Sequence, residues 1–230
     1  HHFSIREMAD PTPAKGQLLV QPLFTGICGS DLSLRKQMAA AADATPPEAQ
    51  GQLPVIIPGH EFSAELVGIA PGTDTALKVG QIVTALPFTH GHDAPQAIGL
   101  SPDHSGGLAT LSCVDAVRAF AIPGDVPADL GALTEPVSVG LHAANLASRN
   151  AGPNMVIGCG PVGLSVILAL RLQGRGPILA ADFSAERRAV AASLGADIVL
   201  DPAVDSPFGR WTDFAFTPHP MSPLLEREFS

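Results

Sequence analysis

The sequence predicts two folded parts, a β-rich part over residues 1 to about 145 and an alternating part of strands and helices over residues 154–201. Short apolar runs separated by Pro and Gly predict the first part, because such spacing is typical of an irregular antiparallel barrel or sandwich. Three short apolar runs that alternate with two helical patterns predict the second, because this alternation indicates parallel strand pairing. The fold class is therefore α/β plus β.

The strands of the β-rich part are short and separated by turn residues. Turn signals such as Pro71-Gly72 and Pro123-Gly124 punctuate the chain. The segment 35–51, rich in Ala, Pro and Gln, is predicted to be a surface excursion. Helical spacing of apolar residues then begins after Pro127. The predicted strands cover residues 17–23, 65–69, 81–86 and 108–114, and the predicted helices cover residues 129–135 and 137–147.

The second part reads as one strand–helix–strand–helix–strand unit. Its second helix stops at Gly195, a residue typical of helix ends. The predicted elements are strand 155–157, helix 162–172, strand 178–181, helix 185–194 and strand 198–200. A doubly wound sheet has two such halves, and no second half follows Asp201. We therefore expect a partial doubly wound sheet and an irregular tail over residues 202–230.

Composition argues against several functional classes. The 13 Lys and Arg residues against 22 Asp and Glu give a formal charge of −9, whereas nucleic-acid binding requires clustered basic residues. No run of about 18 apolar residues is present, so the sequence predicts no membrane span. The three cysteines, Cys28, Cys113 and Cys159, are too few and too scattered for a disulfide framework. We expect a cytoplasmic protein that acts on a small molecule.

Potential metal ligands are concentrated in two short motifs. Cys28 lies in a Gly-rich polar turn, and His60 and Glu61 follow Gly59. Thiolate, imidazole and carboxylate are the ligands that zinc prefers, and a catalytic zinc has three protein ligands and one open position. Cys28 and His60 supply two ligands, while Glu61 and Glu135 compete to be the third. Glu135 also fits a plain structural role, because a carboxylate is favourable at a helix start.

Two further polar residues follow Cys28. The hydroxyl of Ser30 lies two positions beyond the thiol, where it could contact a metal-bound alcohol and relay its proton. Asp31 could accept a hydrogen bond from a ligand histidine, which ligand imidazoles usually need to fix their orientation. Cys28, Ser30, Asp31 and His60 are therefore the predicted catalytic residues.

A nucleotide-binding loop is predicted between the first strand and first helix of the second part. Gly158, Gly160 and Gly163 match the pattern G-x-G-x-x-G in the required strand–helix context. Gly158 allows the tight turn, Gly160 lets the backbone approach a pyrophosphate, and Gly163 lets the helix pack on the strand. Pro161 and Val162 open the helix, whose free N–H groups attract phosphate. The alternative is a glycine turn without a nucleotide.

The residue that would contact the adenosine ribose is Asp182, nineteen positions after Gly163 at the end of the second strand. A carboxylate there accepts hydrogen bonds from ribose hydroxyls and repels a 2′-phosphate, so the sequence favours NAD over NADP. Arg187 and Arg188 on the next helix keep NADP as the alternative.

As an ordered set, these motifs resemble the zinc-dependent medium-chain dehydrogenases. Residues from about 13 to 201 are similar to the branch that includes sorbitol, butanediol and threonine dehydrogenases. The motifs are Cys28-Gly29-Ser30-Asp31, Gly59-His60-Glu61, Gly106-Gly107-Leu108-Ala109, Glu135-Pro136 and the Gly158 loop.

The resemblance implies a GroES-like β-barrel catalytic domain over residues 1–146 and the first half of a Rossmann domain over residues 147–201. It implies that Cys28 and His60 bind one catalytic Zn²⁺, that Glu61 is a ligand or near-ligand, and that Glu135 replaces a second cysteine of other members. It also implies hydride transfer between a secondary alcohol or polyol and NAD(P), and a homo-oligomer, a dimer or a tetramer, for a complete chain.

Two departures from the family pattern are visible. The lobe that often binds a structural zinc through four cysteines corresponds to residues 87–105, which contain no cysteine, so we expect no structural zinc. That lobe carries His90, His92, Asp93 and His104 instead. The C-terminal part of the family fold is also missing. The alternatives to a zinc enzyme are a metal-free quinone or enoyl reductase of the same superfamily and a non-catalytic nucleotide-binding protein.

Overall fold

The computed structural model describes residues 3–46, 48–49, 53–90, 95–147 and 152–210. The chain divides into two compact units, the first ending at Glu135 and the second beginning at Pro136. The domain limits predicted from the sequence, 1–146 and 147–201, differ from this division and stay a prediction. No helix among the described residues is both long enough and apolar enough to cross a membrane.

Within the described part of the first unit the β structure consists of seven strands, which confirms its predicted β-rich character. A five-stranded antiparallel sheet has the order β6-β1-β2-β3-β7, and β4 pairs with β5. Side chains from alternate positions of β1 and β2 enter one apolar core, among them Leu18, Val20, Phe62 and Leu66. The strands are β1 (Gln17–Gly26), β2 (Glu61–Ile69), β3 (Ile82–Ala85), β4 (Phe88–His90), β5 (Pro95–Ala97), β6 (Ser112–Asp115) and β7 (Ala119–Ala121).

The pairing of β1 with β2 determines where the two ligand motifs meet. Its antiparallel register places Leu18 opposite Ile69 and, at the other end, Gly26 opposite Glu61. The register shifts near Pro22, a residue without the N–H that a regular ladder needs. Because β1 ends where β2 begins, the residues just after Gly26 and just before Glu61 lie at the same edge of the sheet.

The first helix, α1 (Gly29–Ala44), occupies part of the segment that the sequence predicts as a surface excursion. Asp31 and Ala42 are its only fully buried residues, and the half-buried Leu34 and Met38 make only a narrow apolar stripe. The run from Ala39 to Ala42 has high intrinsic helix propensity, and propensity rather than periodicity is the signal that would have indicated this helix.

The predicted lobe without cysteines contains the β4–β5 hairpin. The hydroxyl of Thr89 in β4 donates a hydrogen bond to Asp115 Oδ1 at 2.7 Å, and both residues are buried. This bond ties the hairpin to the end of β6. His92 and Asp93 lie outside the described residues, so the structure does not test a metal site in this lobe.

The second unit has the parallel strand–helix alternation that the sequence predicts. Its three-stranded sheet has the order β10-β9-β8 with parallel pairing throughout. The short α2 lies in the first unit, and α3 crosses the division between the units. The elements are α2 (Ala128–Gly131), α3 (Thr134–Leu146), β8 (Asn154–Ile157), α4 (Pro161–Leu172), β9 (Ile178–Ala181), α5 (Ala185–Ser193) and β10 (Ile198–Leu200).

The central strand β9 is buried on both faces, as expected for a parallel sheet. Ile178 and Ala180 belong to the core that α4 and α5 cover, and Leu179 and Ala181 contribute to a smaller cluster with Leu200. The next residue, Asp182, therefore leaves the sheet at the carboxyl end of β9, close to the carboxyl end of β8. In open α/β sheets, ligands bind at this edge.

Candidate metal and nucleotide sites

Three potential metal ligands of the first unit converge at the edge where β1 ends and β2 begins. One ligand atom each of Cys28, His60 and Glu61 lies within 4.8 Å of the other two. His60 and Glu61 are each 7% exposed, and Cys28 is half-buried. A thiol, an imidazole and a carboxylate in one buried group match the ligand set of a catalytic zinc site. The residues present therefore fit a zinc ion.

Asp31 links the two segments that carry these ligands. Its Oδ2 accepts a hydrogen bond from the Cys28 backbone N–H at 2.8 Å, and its Oδ1 accepts one from the Gly59 N–H at 3.3 Å. Its Oδ1 also lies 3.6 Å from His60 Nδ1. Because Asp31 is 2% exposed, these contacts are shielded from water, and they place a carboxylate beside the buried Nδ1 of His60.

Ser30 lies on the opposite side of the imidazole from Asp31. Its hydroxyl oxygen is 3.5 Å from His60 Nε2. The structure therefore places the Ser30 hydroxyl beside His60, one of the potential metal ligands, and its predicted proton relay stays a prediction.

The loop before His60 is held by the Gly106-Gly107 motif. The backbone N–H groups of Gly106, Gly107 and Leu108 donate to the carbonyls of Ile57, Gly59 and Pro58, respectively, at 2.8, 2.7 and 3.1 Å. A side chain at Gly106 would overlap the carbonyls of Pro58 and Gly59, and one at Gly107 would come within 2.9 Å of Phe62 Cβ. This motif therefore acts by close backbone packing that fixes His60.

Glu135 is not one of the three converging ligands. Burial raises the pKa of its carboxyl group, the charge of His60 lowers it, and the charge of Glu61 raises it again. The charges of His60 and Glu61 thus influence Glu135. Of the two carboxylates that compete for third ligand, the geometry favours Glu61.

In the second unit the glycine-rich loop joins β8 to α4. Gly158 has φ +91°, a conformation that favours glycine, and its N–H donates to the Ala181 carbonyl at 2.8 Å. Gly160 is the N-cap of α4, and Pro161 is at the first helical position. A side chain at Gly163 would overlap the Gly158 carbonyl oxygen, whereas one at Gly160 would have open space. Pro161 and Val162, the first two residues of α4, are exposed.

Asp182 stabilises the turn beneath this loop. Its Oδ2 accepts a hydrogen bond from the Cys159 N–H and its Oδ1 accepts one from the Ser184 N–H, both at 2.7 Å. These two bonds are the main reason that the pKa of Asp182 is below its usual value, and the charges of Arg187 and Arg188 lower it further.

The two arginines after Asp182 differ in their contacts. Arg187 Nη1 lies 3.9 Å from Asp182 Oδ2, and its side chain is mostly exposed. Arg188 Nη1 donates to the carbonyls of Asp182 and Phe183 and forms an ion pair with Asp201 at 3.0 Å. Arg188 is therefore already engaged, and Arg187 is the arginine that remains open to a ligand.

The other two cysteines do not join the metal group. Burial raises the pKa of the Cys113 thiol in β6 and is also the main cause of the raised pKa of Cys159, which contacts the Ala181 carbonyl. Sequence reasoning assigned Gly26 only to the polar turn around Cys28 and missed that it faces Glu61. It also missed Thr25, whose hydroxyl donates to the Gly107 carbonyl at 2.8 Å. No local pattern marks these contacts, because each partner is distant in sequence.

Comparison with known proteins identifies relatives of this chain. The Alcohol dehydrogenase GroES-like domain matches residues 14–124. The (R,R)-butanediol dehydrogenase of Bacillus subtilis is 35% identical over 211 residues, which is 86% of this chain and 60% of that protein. The chain thus spans about three fifths of the length of this relative.

Solved structures show the same fold. Galactitol-1-phosphate dehydrogenase from Escherichia coli superimposes with a TM-score of 0.73 and 28% identity, over 92% of this chain and 62% of that one. A candidate zinc-binding dehydrogenase from Sinorhizobium meliloti, solved with NADP bound, gives a TM-score of 0.72 and 26% identity, over 88% of this chain and 59% of that one.

Proposed function

Because the chain belongs to the zinc-type medium-chain dehydrogenases, we propose that the protein transfers hydride between an alcohol and NAD(P). The alcohol is a secondary alcohol or a polyol, and the product is a ketone or aldehyde. The convergence of Cys28, His60 and Glu61 within 4.8 Å carries the proposal, because a glycine-rich nucleotide loop alone would not distinguish this chemistry from other redox reactions.

The proposed metal ligands are Cys28, His60 through Nε2, and Glu61. A zinc ion in such a site acts as a Lewis acid that polarises a carbonyl oxygen or acidifies a bound hydroxyl. With three protein ligands, one position stays open for the substrate. Glu135 then serves as a neighbouring carboxyl group rather than as a ligand.

Two residues have proposed roles beyond binding. Ser30, with its hydroxyl 3.5 Å from His60 Nε2, accepts the proton of the substrate hydroxyl and passes it outward. Asp31 keeps the imidazole oriented through Nδ1 and holds the Cys28 and Gly59 backbones. We assign Asp31 to positioning and Ser30 to proton transfer.

The proposed cofactor is NAD, with NADP as the alternative. The helix start at Gly160, Pro161 and Val162 presents free N–H groups to the pyrophosphate. Asp182 keeps its negative charge because its pKa is lowered, and this charge disfavours a 2′-phosphate. Arg187 lies beside the same carboxylate and contacts the adenosine end of the cofactor.

The proposed function is tested by zinc content and turnover together. Zinc should copurify with the protein, and Cys28→Ser should lose both zinc and oxidation of secondary alcohols and polyols, because one of the three ligands is gone. Cys113→Ser is the matched control, since Cys113 lies in β6 outside the ligand group. Unchanged zinc content in Cys28→Ser would contradict the ligand assignment.

The same assays separate the alternatives. A metal-free quinone or enoyl reductase would retain turnover of its substrates after chelation. A non-catalytic nucleotide-binding protein would bind NADH, as measured by its fluorescence, and would turn over no member of the alcohol panel. Loss of alcohol oxidation on chelation and its recovery on zinc addition is the result expected here.

The proposal also covers assembly and compartment. We propose a homo-oligomer, a dimer or tetramer, and a cytoplasmic setting with neither nucleic acid nor membrane as a partner. The acidic charge balance and the sparse cysteines support this setting. Light scattering coupled to size exclusion tests the assembly, and a monomeric mass would contradict it.

A further inference from the structure

We propose that Gly26 positions the Glu61 carboxylate, because the missing side chain at Gly26 creates the space through which Glu61 reaches Cys28 and His60. Gly26 is then a positioning residue for the third metal ligand. This inference rests on the proposed zinc site and assigns a role to a residue outside the ligand set.

The strand register brings the two residues face to face. Gly26, the last residue of β1, pairs directly with Glu61, the first residue of β2. Side chains of directly opposed residues in an antiparallel pair project from the same face of the sheet. Any side chain at position 26 would therefore extend beside that of Glu61.

The Glu61 side chain occupies this space. A Cβ atom added to Gly26 would overlap Glu61 Oε2 and would lie 3.1 Å from Glu61 Cβ and 3.4 Å from Glu61 Cδ. The three nearest atoms to that Cβ all belong to Glu61. The carboxylate that joins the metal group is thus the same group that a methyl at position 26 would displace.

The backbone at Gly26 does not itself require glycine. Gly26 is not among the glycines with positive φ, in contrast to Gly59 with φ +99°. A Cβ at Gly59 would also approach the backbone nitrogens of Gly107 and Leu108 at 3.2 and 3.0 Å, which cannot move independently of the loop. At Gly26 the most severe overlap is with Glu61 Oε2, the end of a flexible side chain, whereas Glu61 Cβ at 3.1 Å has to give by only a few tenths of an ångström. Alanine there therefore moves mainly the Glu61 carboxylate.

The test measures zinc affinity by chelator competition in four proteins. These are the unsubstituted protein, Gly26→Ala, Glu61→Ala and the double variant Gly26→Ala/Glu61→Ala. We expect Gly26→Ala to weaken zinc binding roughly 10- to 100-fold, as removal of an orienting neighbour does at other metal sites. In the Glu61→Ala background, Gly26→Ala should cause no further loss, because the group on which it acts is absent. Additive losses would overturn the proposal.

Gly29→Ala is the matched control. Gly29 directly follows Cys28, whereas Gly26 lies two positions before it, and a Cβ at Gly29 meets nothing within 4 Å. Its zinc affinity should equal that of the unsubstituted protein. An equal loss in Gly29→Ala and Gly26→Ala would overturn the proposal, because it would point to the loop rather than to Glu61. The visible absorption of the cobalt-substituted protein gives a second readout, since its bands depend on the ligand set. The spectra of Gly26→Ala and Glu61→Ala should shift in the same direction.

Folding and function failures are distinguishable in this design. If Gly26→Ala unfolds but the double variant folds, the overlap with Glu61 is the cause, and the proposal stands. If both unfold, Gly26 is needed by the backbone, and the proposal fails. If the unsubstituted protein binds no zinc, the proposed function itself fails. If Glu61→Ala loses affinity while Gly26→Ala does not, only the present inference is wrong.

Discussion

Asp31 shows how one buried residue connects two distant motifs. Its two carboxylate oxygens accept backbone N–H groups from Cys28 and Gly59, and one of them faces His60 Nδ1. Asp31 is the third residue of α1, a position from which a carboxylate commonly returns to the N-cap N–H. An ordinary helix-start interaction therefore also aligns two proposed metal ligands.

We predict that Asp31→Ala lowers zinc affinity about 10- to 100-fold, the usual cost of losing a hydrogen-bonding neighbour of a metal ligand. Asp31→Asn should lose less, because its amide oxygen can still accept one of the two N–H groups. Competition with a chromophoric chelator measures both. Gln37→Ala, an exposed change on the same helix, is the control, and equal affinity in all four proteins would contradict the prediction.

Asp182 is the residue of the second unit with the clearest electrostatic consequence. Its pKa is lowered, so its charged form is stabilised by folding. That stabilisation is present above the unfolded pKa of about 4 and is lost as the pH falls through the lower folded value.

We predict that Asp182→Asn lowers the thermal unfolding temperature at neutral pH, and that the difference from the unsubstituted protein shrinks as the pH falls below about 4. Thermal unfolding followed by circular dichroism across this range measures it. Asp103→Asn, at an exposed carboxylate, is the control. A difference that is constant with pH would show that the charge of Asp182 does not contribute.

Among the elements, the turn between β8 and α4 contains one glycine that folding requires and another that leaves room for a ligand. Gly163 touches the Gly158 carbonyl, so its lack of a side chain is needed for the helix to pack against the strand. Gly160 has open space around its Cα, where the pyrophosphate of a nucleotide can approach the protein backbone. The two glycines of one motif thus have different physical roles.

We predict that Gly163→Ala destabilises the second unit by about 1–3 kcal/mol, the usual cost of overpacking, and reduces NADH binding as a consequence. Gly160→Ala should leave the unfolding temperature nearly unchanged and still weaken NADH binding, because only the approach of the pyrophosphate is obstructed. Thermal unfolding and NADH fluorescence titration on both variants measure this. Equal destabilisation of the two variants would contradict the assignment.

The helix α1 illustrates a local element that sequence periodicity did not detect. Most of its side chains are exposed, and its buried Asp31 is polar. A helix is recognised from its apolar stripe, and that of α1 is narrow, with Leu34 and Met38 half-buried and Ala42 buried. The strand–helix alternation of the second unit was predictable for the opposite reason, because each of its elements contributes apolar residues to a shared core.

At the scale of the whole molecule, the chain has two units with separate cores, and each unit contains one of the two proposed binding sites. The first unit brings together the proposed metal ligands around one β-sheet core, and the second presents a nucleotide loop at the edge of a parallel sheet. Each unit has its own buried core and its own hydrogen bonds. The chain covers 60% of the butanediol dehydrogenase that it matches. The substrate and the assembly of the protein are therefore proposals.

Much of the site was predictable because motif spacing reflects chemistry. Cys28 and His60 were predicted as ligands from residue type and glycine-rich context, and the structure brings them together. The loop from Gly158 to Gly163 was predicted from its position between strand and helix, and it lies there. The competition between Glu61 and Glu135 was left open by the sequence. The two residues lie 74 positions apart, and only the pairing of β1 with β2 shows which carboxylate lies beside Cys28.

The sequence by itself determined the kinds of ligand atom, the order of strands and helices in the second unit and the acidic character of the protein, since residue type and local spacing carry this information. Only the tertiary structure decided that Glu61 joins Cys28 and His60, that Asp31 connects both motifs and that Gly26 faces a carboxylate. These relations depend on strand register and burial, which arise when residues distant in the chain pack against each other.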